Sequence, residues 1–284
     1  MANLQVDQDL NPTAQSVKDQ NGNTSPLAVS TDKVGIGTTE PGSILHIAVG
    51  TSQAEQASPR ISGTYPSLSF YDDSGVAQDR NWAIAAPWFR NGDFVILQSK
   101  EQNGDPRNAG THRFLISASG NVAIGGKNPS EKLEVDGNIY ASGDVRLAGA
   151  DCAENFDVAE AQALEPGMVM VIGDEERLHQ CTEAYDKRVA GVISGAGDCR
   201  PGIVLGSRQS QNKRMPVALT GKVFCKVDAR YASVSVGDLL TTSPTPGHAM
   251  KATDPLQAFG AVIGKALRPL TEGQGLIPIL IALH

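Results

Sequence analysis

The chain has 284 residues and a formal net charge of −7, with 30 glycines, 16 prolines and only 5% aromatic residues. This length exceeds what one hydrophobic core usually serves, so it predicts more than one domain. The excess of acidic residues argues against a nucleic-acid partner, because binding phosphates requires a basic surface. The abundant glycine and proline indicate many turns.

The ends of the sequence predict neither a secretory leader nor insertion into a membrane. Residues 1–10 lack the basic and apolar regions of a signal peptide. The apolar run Leu276–Leu283 is interrupted by Pro278 and is far shorter than the ~20 residues of a membrane helix. If the protein acts outside the cell, we expect it to leave by lysis or as part of a particle assembled in the cytoplasm.

Four cysteines lie in the second half of the chain without any Cys-x-x-Cys pair: Cys152, Cys181, Cys199 and Cys225. Without a secretory signal, the pattern predicts free thiols rather than disulfides. His179 and Cys181 could share one side of a strand, but two further zinc ligands are not close in sequence. We therefore predict no metal and no cofactor.

Residues 1–30 are rich in Asn, Gln, Asp, Ser and Thr and show no apolar periodicity. Such a segment buries too little apolar surface to order itself. It is interpreted as a flexible N-terminal segment that attaches the protein to a larger particle.

An internal repeat follows, in which residues 33–47 correspond to residues 121–135 at an offset of 88 (121 − 33). Each copy has a short alternating strand, a Gly turn, a Pro bend and a second alternating strand, as expected for half-buried strands. The matched positions are Val34, Ile36, Gly37, Pro41, Leu45 and Ile47 with Val122, Ile124, Gly125, Pro129, Leu133 and Val135.

Between the two copies, four short β-type runs at 67–71, 81–85, 93–98 and 113–116 are separated by turn residues. Residues 31–120 are predicted to form a β-sandwich or one subunit of an intertwined β-prism. The aromatic cluster of Trp82, Trp88 and Phe89 predicts a core or subunit interface, with a sugar-binding platform as the alternative.

Residues 121–150 are interpreted as a connector followed by a short β shaft. Their apolar residues alternate among glycines, and a lone chain gains little by burying so few of them. Three chains wound about one axis would bury them all, so we predict a homotrimer. The predicted oligomerisation residues are Val122, Ile124, Leu133, Val135, Ile139, Val145 and Leu147.

From residue 151 to residue 284, longer apolar strands are separated by turns and show almost no helical pattern. This pattern predicts a non-catalytic C-terminal β-barrel with polar contact loops at 194–214 and 241–250. The whole chain is therefore expected to be all-β: a modular, trimeric, fibre-like protein.

The repeat, with Val-Gly-Ile-Gly-Thr-Thr-Glu-Pro at 34–41 and Lys-Leu-Glu-Val-Asp-Gly-Asn-Ile at 132–139, resembles a connector of phage tail fibres and related injection-particle proteins. That resemblance implies homotrimeric fibres in which the connector joins a globular module to a β-stranded shaft. The segment Gly149–Phe156 is similar to the start of the self-cleaving C-terminal domain of some phage neck-appendage proteins. Those domains are trimerisation chaperones cut near their first Asp, and Cys152 stands where they usually carry an aromatic residue.

The acidic triplet Asp151, Glu154 and Asp157 has two interpretations. Clustered carboxylates could raise one another's pKa and serve a self-cleavage, or they could belong to a solvated turn that caps a strand or a short helix. No other nucleophile and base stand at a catalytic spacing, so no metabolic enzyme is predicted.

Three functions remain at this stage. The first is a structural or receptor-binding fibre or tip protein of a phage tail or contractile injection particle. Its expected partners are two further copies, other tail or baseplate proteins, and a cell-surface receptor or glycan. The second is a self-cleaving trimerisation chaperone, and the third is a ring-forming decoration or baseplate-associated protein.

Overall fold

The computed structural model describes residues 9–19, 21–48, 60–72, 74–86, 92–108, 110–159, 163–207 and 212–282. The chain divides into two compact units, Met1–Tyr140 and Ala141–His284. Strands make up 42% of the described residues and helices 3%, so the prediction of an all-β fold is confirmed. No helix in the described ranges is long and apolar enough to cross a membrane.

The first unit begins with a four-stranded sheet in the order β1-β2-β3-β4. Its strands are β1 (Gln15–Lys18), β2 (Thr24–Val29), β3 (Val34–Ile36) and β4 (Leu45–Ile47). The first two pairings are antiparallel, and β3 pairs with β4 in parallel.

The expectation that residues 1–30 lack structure is wrong for β1 and β2. The polar residues between these strands close a turn: the Asp19 carboxylate accepts hydrogen bonds from the backbone N–H groups of Asn21 and Asn23, both at 2.9 Å. Hydrogen bonds from Asn23 lower the pKa of Asp19. Val17 and Ala28 are buried on the sheet. Pairing with the first connector copy thus orders a segment that its composition alone would leave without structure.

A six-stranded sheet completes the first unit in the order β5-β6-β7-β8-β9-β10. The strands are β5 (Ser67–Phe70), β6 (Trp82–Ala85), β7 (Phe94–Gln98), β8 (Thr111–Ile116), β9 (Val122–Ile124) and β10 (Leu133–Val135). The four runs predicted between the repeats are confirmed as β5–β8. One face is buried and consists of small and medium side chains: Ala83, Ala85, Val95, Leu97, Leu115 and Ala123.

The two connector copies adopt the same backbone arrangement. Val34 pairs with Leu45 and Val122 with Leu133, both in parallel register. The connections 37–44 and 125–132 are shorter than the about a dozen residues that parallel strands usually require. Gly37 and Gly125 begin them with φ of 78° and 82°, a left-handed conformation that favours glycine. The alternating pattern predicted both strands of each copy but not their parallel pairing. The structure forms that pairing across a tight connection that begins with a glycine.

The second unit contains a closed five-stranded barrel, which confirms the barrel prediction. Its strands are β16 (Arg214–Asp228), β17 (Leu239–Thr242), β18 (Ala249–Lys251), β19 (Val262–Ala266) and β20 (Gln274–Ile281). A short helix, α1 (Pro255–Ala258), lies between β18 and β19. Five more strands join the same sheet: β11 (Asp151–Asp157), β12 (Val169–Ile172), β13 (Leu178–Gln180), β14 (Val189–Ile193) and β15 (Pro201–Leu205).

Two details of this unit differ from expectation. The segment 194–214, predicted as a polar loop, contains β15, which pairs in parallel with β11. His179 is exposed whereas Cys181 is buried, so the two do not share a surface. All four cysteines carry free thiols, and burial raises the pKa of Cys181 to about 11.

Gly221 lies where the long strand β16 changes its antiparallel partner. Residues 214–221 pair with β11, and residues 221–228 pair with β20. Gly221 has a φ of +103°, and a Cβ added there would lie 2.6 Å from the Ala150 carbonyl oxygen and 2.8 Å from the Asp151 Cα. Both neighbours are backbone atoms, so a side chain cannot be accommodated by a change of rotamer.

We expect Gly221→Ala to lower the free energy of unfolding of the second unit by about 2–4 kcal/mol, from positive-φ strain and the backbone clash. Gly237→Ala is the matched control, because Gly237 has a φ of +89° and nothing within 4 Å of an added Cβ. Denaturant unfolding of the full chain measures both variants. Equal destabilisation would show that the close approach of β11 does not constrain Gly221.

Asp228, at the end of β16, links three parts of the barrel through its buried carboxylate. It accepts hydrogen bonds from Arg230 Nε at 2.9 Å, from the Thr245 hydroxyl at 2.6 Å and from Gln274 Nε2 at 3.1 Å. The Arg230 guanidinium, followed by the other donors, holds the pKa of Asp228 well below its usual range. The ionised carboxylate therefore stabilises the fold above pH ~4, and that stabilisation is lost as pH falls below the unfolded-state pKa.

We expect Asp228→Asn to destabilise the protein by about 1–3 kcal/mol at pH 7, because charge-assisted hydrogen bonds are lost. The difference in Tm between wild type and variant should narrow as pH falls below ~4, because the carboxylate of the unfolded wild-type chain is then protonated while that of the folded chain stays ionised. Thermal unfolding from pH 7 to pH 2.5 tests this. A difference that stays constant across that range would contradict the assigned role of the charge.

Candidate oligomerisation surface and acidic segment

The six-stranded sheet has a second face, opposite its buried side. On this face, two rows of directly paired residues consist of apolar side chains only. The first row takes one residue from every strand, through directly paired positions: Leu68, Ile84, Ile96, Phe114, Ile124 and Val135. The second row crosses four strands: Phe94, Ile116, Val122 and Leu133. We call these ten residues the apolar face. It spans five strand spacings, or about 24 Å.

Every residue of the apolar face is half-buried or exposed in the single chain. Leu68 and Leu133 expose 48% and 57% of their surface, and Ile124 exposes 44%. Single exposed apolar residues are normal, but a continuous apolar area of this width is a candidate interaction surface. No polar residue interrupts either row.

The four-stranded sheet carries a smaller version of the same surface. Leu27, Ile36 and Ile47 form one cross-strand row, and Val29, Val34 and Leu45 form a second. The same residues of the connector repeat provide the apolar rows of both sheets. The repeat therefore places an unburied apolar surface at two points of the first unit.

The predicted oligomerisation residues divide into two groups. Val122, Ile124, Leu133 and Val135 belong to the apolar face. Ile139, Val145 and Leu147 lie outside it, in a segment without strand pairing, and they expose 74%, 68% and 50% of their surface. Of the predicted aromatic cluster, Trp82 lies on β6, on the same side of the sheet as the apolar face, and Trp88 and Phe89 lie outside the described residues.

The sequence analysis did not identify the β5–β8 part of the apolar face, although the signal was present. Leu68, Ile84, Ile96 and Phe114 fall within the predicted strands, but the predicted oligomerisation residues all lie between 122 and 147. Assigning them to an outer face requires the register, because their strands also carry the small, buried alanines of the opposite face.

The acidic triplet lies within strand β11, so the interpretation of these residues as a solvated turn is wrong. Backbone pairing with both β15 and β16 holds the segment extended. In a strand, residues three positions apart point to opposite faces and lie about 10 Å apart. The structure therefore does not gather Asp151, Glu154 and Asp157 into one carboxylate cluster.

The three carboxylates have different surroundings. Asp151 is 95% buried, since 5% of its surface is exposed, and neither carboxylate oxygen has a hydrogen-bond partner among the described residues. Glu154 is half-buried. Asp157 forms an ion pair with Arg214 Nε at 3.1 Å and accepts a hydrogen bond from Asn212 Nδ2 at 2.7 Å. Asp157 thus holds the start of β16 against β11.

Backbone hydrogen bonds hold the residue that precedes Asp151. The Ala150 N–H donates to the Arg200 carbonyl, and the Ala150 carbonyl accepts from the Lys222 N–H, each at 3.2 Å. The described ranges contain no group of three or more His, Cys, Asp or Glu side chains that could hold a metal ion. The segment is therefore a strand paired on both sides, in which the buried Asp151 carboxylate has no hydrogen-bond partner among the described residues.

Two solved structures illustrate what the chain is similar to. The C-terminal fragment of gene product 12 of bacteriophage phi29 aligns with a TM-score of 0.34 and 16% identity, over 46% of this chain and 100% of the fragment. The pre-mature gene product 12 of the same phage aligns with a TM-score of 0.38 and 15% identity, over 60% of this chain and 24% of that chain. No protein-family model and no curated protein matches the sequence.

Proposed function

We propose that this chain is a structural subunit of a phage-tail-like appendage, and that three copies assemble around their apolar faces. The observation that carries the proposal is the pair of uninterrupted apolar rows across the six-stranded sheet. In this proposal the subunit is part of a particle, is assembled in the cytoplasm, and acts outside the cell.

The free energy available from covering the apolar face is large. Burying one large aliphatic or aromatic side chain contributes about 1.5–3 kcal/mol. Association costs an estimated 4–15 kcal/mol in lost translational and rotational freedom. Because the ten side chains are already partly buried in the single chain, covering all of their remaining exposed surface gives a sum of the same order as that cost. Covering the face with identical copies requires no other partner.

Three copies also fit the apolar segment from Ile139 to Leu147, which runs from the first unit into the second, better than two. Two sheets could pack face to face, but the segment from Ile139 to Leu147 would keep its apolar side chains exposed without strand partners. Three such segments about one axis bury their side chains against one another. The resemblance of the connector repeat to those of tail fibres also implies threefold assembly.

The same proposal assigns contact roles to other parts of the chain. The N-terminal segment, residues 1–30, attaches the subunit to other tail or baseplate proteins. The assembly presents a surface to a cell-surface receptor or glycan. No catalytic step is required of the chain, and the proposal includes neither a nucleic-acid partner nor membrane insertion. A ring-forming decoration protein would share the all-β fold but would differ in its number of copies.

Leu68→Asp and Ile124→Asp test the role of the apolar face. Both residues are exposed in the single chain, so the fold should persist, whereas a carboxylate buried between copies costs several kcal/mol. We expect light scattering at micromolar concentration to give three chain masses for wild type and one for each variant. The control is Leu256→Asp, which makes the same change at a residue of α1 that is 89% exposed.

Circular dichroism must show the same β content for all four proteins. A wild-type mass of one chain would contradict the proposal. Variants that keep the wild-type mass would show that assembly does not use the apolar face.

Self-cleavage near Asp151 is the second candidate function, favoured by one observation: a buried carboxylate without a hydrogen-bond partner. Unpaired buried polar groups are costly and often have a functional reason. The separation of Asp151 from Glu154 and Asp157 argues against a carboxylate cluster that would activate it. Of the two candidate functions, we propose the structural role, in which the chain stays intact.

We expect intact mass spectrometry of the expressed chain to give a single species of 29.8 kDa. Asp151→Asn should give the same species, because the carboxylate takes part in no cleavage. A wild-type fragment that begins at Asp151 or Cys152, and that disappears in Asp151→Asn or Glu154→Gln, would establish self-cleavage.

A further inference from the structure

A cleft of about 480 Å³ opens at the β5–β6 end of the six-stranded sheet, one row beyond the apolar face. Phe70 pairs with Trp82, and Trp82 pairs with Gln98, so the three form a third cross-strand row. The lining residues combine aromatic rings with polar and charged groups: Phe70, Tyr71, Asp72, Gln78, Asp79, Arg80, Trp82 and Gln98.

This row differs chemically from the two rows of the apolar face. Phe70, Tyr71 and Trp82 expose 53%, 51% and 38% of their surface, in a chain with few aromatic residues. Charged groups surround these rings, whereas the centre of a subunit interface is usually depleted of charge. Exposed rings beside a few convergent polar groups are typical of a small-molecule site.

Among the described residues, hydrogen bonds within the chain hold polar groups of the cleft in place before any ligand binds. The buried Asn81 accepts a hydrogen bond from the Asp72 N–H and donates one to the Gly104 carbonyl, both at 2.9 Å. The Ser74 N–H donates to Asp72 and the Ser74 hydroxyl donates to Asp79, both at 2.7 Å. These contacts reduce the ordering cost of binding.

Donors and acceptors remain for a ligand. Hydrogen bonds from Ser74 lower the pKa of Asp72, so that carboxylate is an acceptor at neutral pH. Asp72 and Asp79 each use one carboxylate oxygen within the loop and, among the described residues, leave the other one available. The Gln98 carbonyl oxygen accepts from Arg113 Nε at 2.8 Å, which leaves its amide nitrogen as a donor.

We infer that this cleft binds a neutral hexopyranose unit of a glycan. One side of a pyranose ring is lined by C–H groups that pack on an aromatic face, and its hydroxyls pair with carboxylate and amide groups. Two carboxylates and one guanidinium give the cleft a net negative charge, which disfavours phosphorylated or acidic sugars. The inference rests on the proposed function, since it supplies the contact between the appendage and a surface.

The test uses the full-length protein and a panel of methyl glycosides of glucose, galactose, mannose and N-acetylglucosamine, with glucose 6-phosphate as the anionic probe. Saturation-transfer NMR and tryptophan fluorescence measure binding. We expect at least one neutral glycoside to bind with a Kd of about 1 mM or tighter. Trp82→Ala and Asp79→Ala should weaken binding at least about tenfold, a loss of 1.4 kcal/mol.

Two further variants control for indirect effects. Trp82→Phe keeps a ring and should retain part of the affinity. Phe259→Ala removes an aromatic residue that is 81% exposed but lies in the second unit, and it should bind like wild type. The inference is overturned if no neutral glycoside binds, if Trp82→Ala binds like wild type, or if glucose 6-phosphate binds more tightly. Light scattering of each sample reports assembly separately, so a monomeric protein that binds sugar contradicts only the proposed function.

Discussion

The fold of the first unit depends on one constraint: a six-stranded sheet has two faces, and its own chain covers only one. Three of the six residues on the covered face are alanines, with Val95, Leu97 and Leu115 as its larger members. The other face has ten large apolar residues and no covering strand among the described residues. A monomeric sheet usually has its large apolar residues on the covered face. The proposed assembly therefore depends on this apolar face.

The connector repeat shows how a short motif produces such a surface. A left-handed glycine turns the chain, and the next strand then pairs in parallel beside the first. The Val-x-Ile and Leu-x-Ile/Val patterns consequently place their large residues side by side. Because both copies make this arrangement, the two sheets carry related apolar rows.

Much of the fold could be predicted from alternation alone, because a half-buried strand requires it. Strands β5–β8 and the short strands of both connectors were found this way. Strands β1 and β2 were missed, since their partners rather than their composition order them. Gly221 resembles a strand end in the sequence but lies inside the continuous strand β16. Glycine signals a special conformation but does not distinguish a bend from an end.

The candidate sites were harder to predict than the strands. The acidic triplet looked like a cluster only under the assumption of a turn or helix, and pairing on both sides makes it a strand. The cleft beside Trp82 requires the register of β5, β6 and β7, which brings together residues 70, 82 and 98. No local sequence pattern contains that information, because it arises from pairings between separate strands.

The most direct measurement of the central claim is hydroxyl-radical footprinting of the native full-length protein, read out by mass spectrometry. Leu68, Ile124 and Leu133 are compared with Leu256 and Phe259, which are exposed in the second unit. If copies cover the apolar face, the first three should be labelled several-fold more slowly than their exposure in the single chain implies. Labelling of the apolar face at the rate given by that exposure, normalised to Leu256 and Phe259, would contradict the account.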